Sequence, residues 1–162
     1  MRIFPKLPSL DPDVDAARAV GVGSLASLVY LGVMYVDMAV TRSPSDDLLL
    51  LGRTVTTDLR RARMAGFPAH MGFGITLSLV YAGYARRRLP GPAWARGLAM
   101  LMGENCLLWP LVWVVDRRHP AMRAGELPKL NRPIPIAQQI VRHGAFGLTL
   151  GLLYGEGRRK HG

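Results

Sequence analysis

The sequence is poor in what a secreted or soluble fold of 162 residues relies on. It has one cysteine, Cys106, so no internal disulfide can form and a disulfide-stapled secreted module is excluded. Of 21 basic residues only Lys6, Lys129 and Lys160 are lysines; the rest are arginines, a bias expected of a GC-rich bacterial genome. Acidic residues number only 11, which leaves a net charge of +10. Charge is missing altogether from long stretches. Residues 20–36 have none, residues 71–85 and 143–155 contain no Asp, Glu, Lys or Arg, and residues 97–115 contain only Glu104. The mean hydropathy of +0.16 therefore averages lipid-like runs with strongly polar connections. A disordered chain is excluded, and a soluble globule is disfavoured.

A soluble chain this basic would suggest nucleic acid. Here Arg86-Arg87-Arg88 and Arg158-Arg159-Lys160 directly follow apolar runs. A membrane protein puts cations there to meet anionic headgroups, so the expected partner is a lipid bilayer and not a nucleic acid. Cys106 lies inside an apolar run and reads as a small buried hydrophobe. Asp11-Pro12-Asp13-Val14-Asp15 puts acid where a signal peptide wants a basic flank. The first run is therefore expected to be retained as a helix, with Asp11 as N-cap and Pro12 at the first helical position.

About twenty apolar residues cross a bilayer as helix. The pattern predicts four spans, at residues 16–40, 67–85, 93–115 and 136–155. Gln138, Gln139 and Arg142 interrupt the opening turns of the fourth, where the arginine is expected to snorkel outward. Trp94, Trp109 and Trp113 mark the ends of the third, and Pro110 should bend it. An even number of spans leaves both termini on one side. The basic residues divide almost evenly between the two sides, and the tight triplets favour cytoplasmic termini in a bacterial inner membrane. In the first connection Ser45 with Asp46 and Asp47, then leucines at 48–51 and Arg60-Arg61 further on, predict a short helix along the surface. Residues 116–135 hold four prolines and read as an irregular ordered loop or a solvated tether.

The most specific signal is self-similarity at an offset of 73 residues. Residues 70–81 and 143–154 align with seven of twelve positions identical: His70/His143, Phe73/Phe146, Gly74/Gly147, Thr76/Thr149, Leu77/Leu150, Leu79/Leu152 and Tyr81/Tyr154. The expected architecture is one all-α membrane domain over residues 1–162, a four-transmembrane-helix bundle built by duplicating a two-helix unit. Its half-repeats fall at about residues 15–88 and 89–162, related by an axis along the membrane normal. Gly74, Ser78 and Ala82 recur every four residues, as do Gly147, Gly151 and Gly155. In lipid, helices associate where small residues let backbones approach. The second and fourth spans are therefore expected to pack closely, with each other or with a partner chain. Shorter stripes lie at Ala19, Gly23 and Ser27, and at Ala95, Ala99 and Gly103.

Asp37, His70, Glu104, Asn105 and His143 fall inside the spans, where ionisable groups are costly and are candidate functional residues. The plainest reading is a satisfied network, with histidine donating to Asp or Glu and Asn105 bridging. A proton or ion relay through Asp37, His70, His143 and Glu104 is the sharper alternative. A haem or other pigment clamped between His70 and His143 is a third. No short-range ligand spacing supports a metal, and no cofactor is expected. Met34-x-x-x-Met38 has a copper-path spacing, though methionines at that interval in lipid usually pack. No nucleophile with a base, phosphate-cradling loop or paired-cysteine motif is present, so no enzymatic activity is expected.

His70-x-x-Phe73 with Tyr81, Pro90, Trp94-Ala-Arg-Gly97-Leu98, Pro110-Leu111, and His143 with Phe146 resemble the YagU-like small bacterial inner-membrane proteins of unknown function. The resemblance covers about the C-terminal half of the chain. It implies a multi-span inner-membrane protein and brings no catalytic residues with it. The functional expectation is a non-enzymatic accessory subunit or scaffold acting through helix packing, self-associated or within a larger membrane complex. A small oligomeric transporter or proton or ion conductor is the alternative.

Overall fold

Capping residues set where the helices begin, and they differ in part from the expected ones. The computed structural model describes residues 13–155. Asp11 and Pro12 lie outside these residues. The first helix, α1 (Ala16–Thr41), is capped instead by Asp15, whose carboxylate accepts the Arg18 N–H at 2.9 Å. Asp46, not Ser45, caps α2 (Asp47–Gly52) by accepting from Leu49 N at 3.0 Å. Asp58 caps α3 (Leu59–Val80) by accepting from Arg61 N at 2.7 Å. α3 thus starts eight residues before the expected boundary at 67, because Arg60, Arg61 and Arg63 ride on the exposed side of its opening turns. It continues through a π-helical turn (Tyr81–Ala85) into α4 (Arg86–Arg88). Then follow α5 (Ala93–Arg118), α6 (Pro120–Arg123) and α7 (Pro133–Tyr154). Among the described residues there is no strand.

The proline-rich connection is more regular than expected. Pro120 and Pro133 each open a helix, where the missing N–H has no cost. Pro110 sits inside an uninterrupted α5.

α1 and α5 are long and apolar enough to cross a membrane. At about 1.5 Å per residue, 26 residues reach roughly 39 Å, more than the ~30 Å hydrocarbon layer. α1 lies between α3 and α7, and α5 packs on the other side of α7. The start of α1, the end of α7, the π turn, α4 and the start of α5 gather at one end. Arg18 donates to the Leu153 carbonyl at 2.8 Å, Arg87 pairs with Asp13 at 2.9 Å, and Tyr81 donates to the Ala93 carbonyl at 3.2 Å. The rings of Tyr81 and Tyr154 meet edge to face, 6.2 Å apart. Below them Ala26, Tyr30, Leu101, Phe146 and Leu150 belong to the main apolar core.

At the opposite end α2 is tucked in rather than laid along the surface. Gly52 sits on the Ala62 backbone and Gly66 on the Leu48 backbone, so close that a Cβ at either would collide. Leu49, Ala62, Ala121 and Leu127 form a second core there. Arg53 clamps the 116–135 connection through both oxygens of Glu126, at 2.6 and 2.9 Å. That connection is an ordered part of the fold and not a tether.

The small-residue stripes seat α3 and α7 on different helices, although the Phe146 ring of α7 also reaches Gly74. Gly74 and Ser78 face α1, meeting Ser27 and Gly23, while Gly147 and Gly151 face α5 at Gly97, Leu98 and Ala93. Each stripe therefore packs on the long helix that precedes it in the chain. Ala82 is buried within the π turn, and Gly155 caps α7 with φ +52° instead of continuing its seam. On α5 the packed edge runs through Gly97 and Leu101; Ala99 and Gly103 point outward.

Candidate functional site

The first half of α7 contains Gln138, Gln139 and Arg142, and helical spacing places Gln138 and Arg142 on the stripe that continues through Phe146, Leu150 and Tyr154. All five are buried, against α1. Arg142 therefore points into the protein and not out to the headgroups. Its side chain is 0% exposed. The guanidinium grips Asp37 through two bonds of 2.6 Å, from Nε to Oδ2 and from Nη2 to Oδ1. Nη1 reaches the Ser45 carbonyl at 2.7 Å and Asp47 Oδ2 at 2.9 Å. Such planar, charge-assisted pairing is the strong kind of side-chain bond.

One cation faces two carboxylates, and neutral donors make up the difference. Tyr30 donates to Asp47 Oδ2 at 2.7 Å, and Gln139 Nε2 donates to Asp47 Oδ1 at 3.0 Å. Gln138 Nε2 lies 2.7 Å from Asp37 Oδ1, 3.0 Å from Thr41 Oγ1 and 3.2 Å from the Ser43 carbonyl. The Asp47 N–H meets Met34 Sδ at 3.4 Å. Met34 is thus a packing and capping partner, and α2 is held by its first residue as well as by its glycine.

A second group of polar residues lies alongside. The Tyr30 ring touches both expected histidines, with centroids 4.9 Å from His70 and 5.5 Å from His143. His70 Nε2 donates to the Ser27 carbonyl at 3.3 Å. His143 Nδ1 donates to Gln139 O at 2.9 Å, which turns Nε2 toward Glu104 Oε2, 3.4 Å away. Glu104 Oε2 is buried there without a hydrogen-bond partner. The Tyr30 ring packs where a macrocycle clamped between the two imidazoles would have to insert. Among the described residues no group of three or more His, Cys, Asp or Glu side chains is arranged to hold a metal.

Of the five expected polar residues, Asp37 joins the arginine cluster, His70 and His143 flank Tyr30, and Glu104 lies beside His143. Asn105 makes no bridge to either. Arg142, Asp47, Tyr30, Gln138 and Gln139 were not among the expected site residues. The four-residue spacing from Gln138 to Tyr154 was the available signal for Gln138 and Arg142. Cys106, expected to be buried, is exposed on the outer side of α5, beyond the edge that packs on α7.

The chain matches no protein-family model, and no curated protein or solved structure is detectably similar to it.

Proposed function

We propose that the chain is a four-span integral-membrane protein of two duplicated helix pairs, working as a non-enzymatic accessory subunit or scaffold. One observation carries this reading. The distribution of polarity is inverted relative to a soluble protein: Arg142 is wholly enclosed and Asp37 is 13% exposed, whereas Val40 and Leu107 are each 78% exposed and Leu152 66%. In water, exposing large apolar side chains over several helices while enclosing an ion cluster is costly twice over. In lipid the same arrangement is favourable on both counts. The resemblance to the YagU-like proteins points the same way, to an inner membrane.

The scaffold reading rests on how the polar groups are held. Asp37 is held through both carboxylate oxygens by Arg142, which suits a structural pin. Proton or ion conduction is the second reading, favoured by the approach of His143 Nε2 to Glu104 Oε2, 3.4 Å apart.

Two measurements test these readings. In intact membranes the native Cys106 should resist a charged maleimide and react after solubilisation in SDS; ready labelling in the membrane defeats the four-span reading. In proteoliposomes Glu104→Gln should leave pH-driven flux at the protein-free background, as should the native chain. Flux in the native chain that vanishes in Glu104→Gln replaces the scaffold with a conductor.

A further inference from the structure

We infer that the cleft between the end of α1 and the start of α3 is a binding site for the phosphodiester headgroup of an anionic phospholipid. This inference rests on the membrane reading above. The cleft measures about 490 Å³ and is walled by Tyr35, Met38, Ala39 and Pro44, with Arg42 and Arg63 at its rim. Three features favour that occupant.

The first is the state of the two guanidinium groups. Arg42 has no hydrogen-bond or ionic partner among the described residues. Arg63 bonds Asp46 Oδ2 through Nε alone, at 2.6 Å, and its side chain remains 49% exposed. Asp46 also lines the cleft, yet its carboxylate is fixed, with Oδ1 accepting from Leu49 N at the start of α2. It therefore orients Arg63 while leaving both terminal nitrogens for a ligand. Two cations against one committed carboxylate leave a positive rim, and guanidinium suits the paired oxygens of a phosphate.

The second feature is the backbone at Arg42. It ends α1 in the left-handed region, with φ 55°, the one residue other than glycine with positive φ among the described residues. Glycine is the ordinary occupant of such a position. An arginine there accepts local strain and lines the cleft, a pattern that points to use of the side chain.

Position supplies the third. The apolar run of α1 ends at Val40, so the rim lies at headgroup depth while exposed Tyr35, Val36 and Val40 lead away from it along the path of an acyl chain. Basic recesses between spans at this depth are suited to anionic lipids.

The test is native mass spectrometry of the full-length chain released from detergent with dioleoyl phosphatidylglycerol, dioleoyl phosphatidylcholine or inorganic phosphate. The native chain should retain phosphatidylglycerol over phosphatidylcholine. Arg42→Gln alone should cut that preference about fivefold, and Arg42→Gln with Arg63→Gln should cut it further. Arg60→Gln with Arg61→Gln, equally basic but outside the cleft, should leave it unchanged. Should the double variant not fold, the single Arg42→Gln variant decides, because that side chain holds nothing together. Equal retention of the two lipids, or a preference that Arg42→Gln does not alter, overturns the site. So does inorganic phosphate binding through the same arginines without lipid selectivity. A chain that stays in the supernatant after alkaline washing of membranes defeats the membrane reading; a membrane-embedded chain without lipid preference defeats only this inference.

Discussion

α1 and α5 have the same length and both are apolar enough to cross a membrane, yet they are used in opposite ways. α1 buries seven residues distributed from Ala19 to Met34, and α5 buries two, Gly97 and Leu101, both in its first third. The difference does not come from apolarity. It comes from what each helix offers its neighbours. α1 presents Ala19, Gly23, Ala26 and Ser27 to α3 and α7, then Tyr30 and Asp37 to the polar groups that α2 and α7 bring. α5 has a glycine edge only near its start, and below Glu104 it carries Leu107, Leu108, Leu111, Trp113 and Val114 outward. Apolar length tells which solvent a helix tolerates. Its small and polar residues tell which helices it joins.

The largest expected effect tests whether the polar cluster is what makes α1 central. Arg142→Met removes the guanidinium that pairs with both Asp37 and Asp47. Leaving buried carboxylates without a partner costs about 3–5 kcal/mol. In detergent this should lower the thermal midpoint drastically or prevent recovery of folded chain. Adding Asp37→Asn and Asp47→Asn to Arg142→Met should restore most of the loss, since a cluster emptied of charge on both sides is far less costly than half of one. A single Arg142→Met variant that melts like the native chain would mean the cluster contributes nothing to holding α1, α2 and α7 together.

A smaller effect separates the two ends of α5. At Gly97 a Cβ would run into the Gly147 carbonyl and the Gly151 backbone, whereas at Gly103 it would meet nothing within 4 Å. Gly97→Ala should destabilise by about 1–3 kcal/mol through forced separation of α5 from α7. Gly103→Ala should be neutral or stabilise by up to ~1 kcal/mol, because alanine suits a helix better than glycine. Equal effects at both positions would erase the contrast between the packed and open parts of this helix.

These contrasts mark what was legible in the sequence. The four long helices follow from long apolar runs, the last of them interrupted by Gln138, Gln139 and Arg142, and their ends fall close to the expected boundaries wherever a single signal acts, as at Ala93. The early start of α3 was obscured because Arg60, Arg61 and Arg63 resemble a soluble connection, although arginines on the exposed side of an opening turn obstruct nothing. Arg142 was misread for a related reason. A lone cation in an apolar helix suggests snorkelling, and its partners Asp37 and Asp47 are 105 and 95 residues away, beyond the reach of local pattern. Cys106 shows the converse error, because apolar surroundings in sequence do not imply neighbours in space.

The smallest expected effect lies away from the spans, where α5 ends and α6 begins. His119 caps α6 by accepting the Ala121 N–H on Nδ1 at 3.3 Å, which requires a neutral imidazole. Burial pushes its pKa below the ordinary histidine value; the Leu50 backbone opposes this in part, and the nearby Arg53 charge adds a smaller push downward. The unfolded chain therefore binds this proton more readily than the folded one. Stability from His119 is fully present above pH of about 6.5 and declines as the pH falls from there through the lower folded-state value. Thermal midpoints measured from pH 7.5 down to 5.5, both approximate bounds chosen to bracket the ordinary histidine value, should fall for the native chain. They should fall less for His119→Asn, which keeps an acceptor at the cap and cannot be protonated in this range. Identical slopes for the two proteins would move the acid sensitivity to other groups and leave His119 as a cap whose charge state is immaterial.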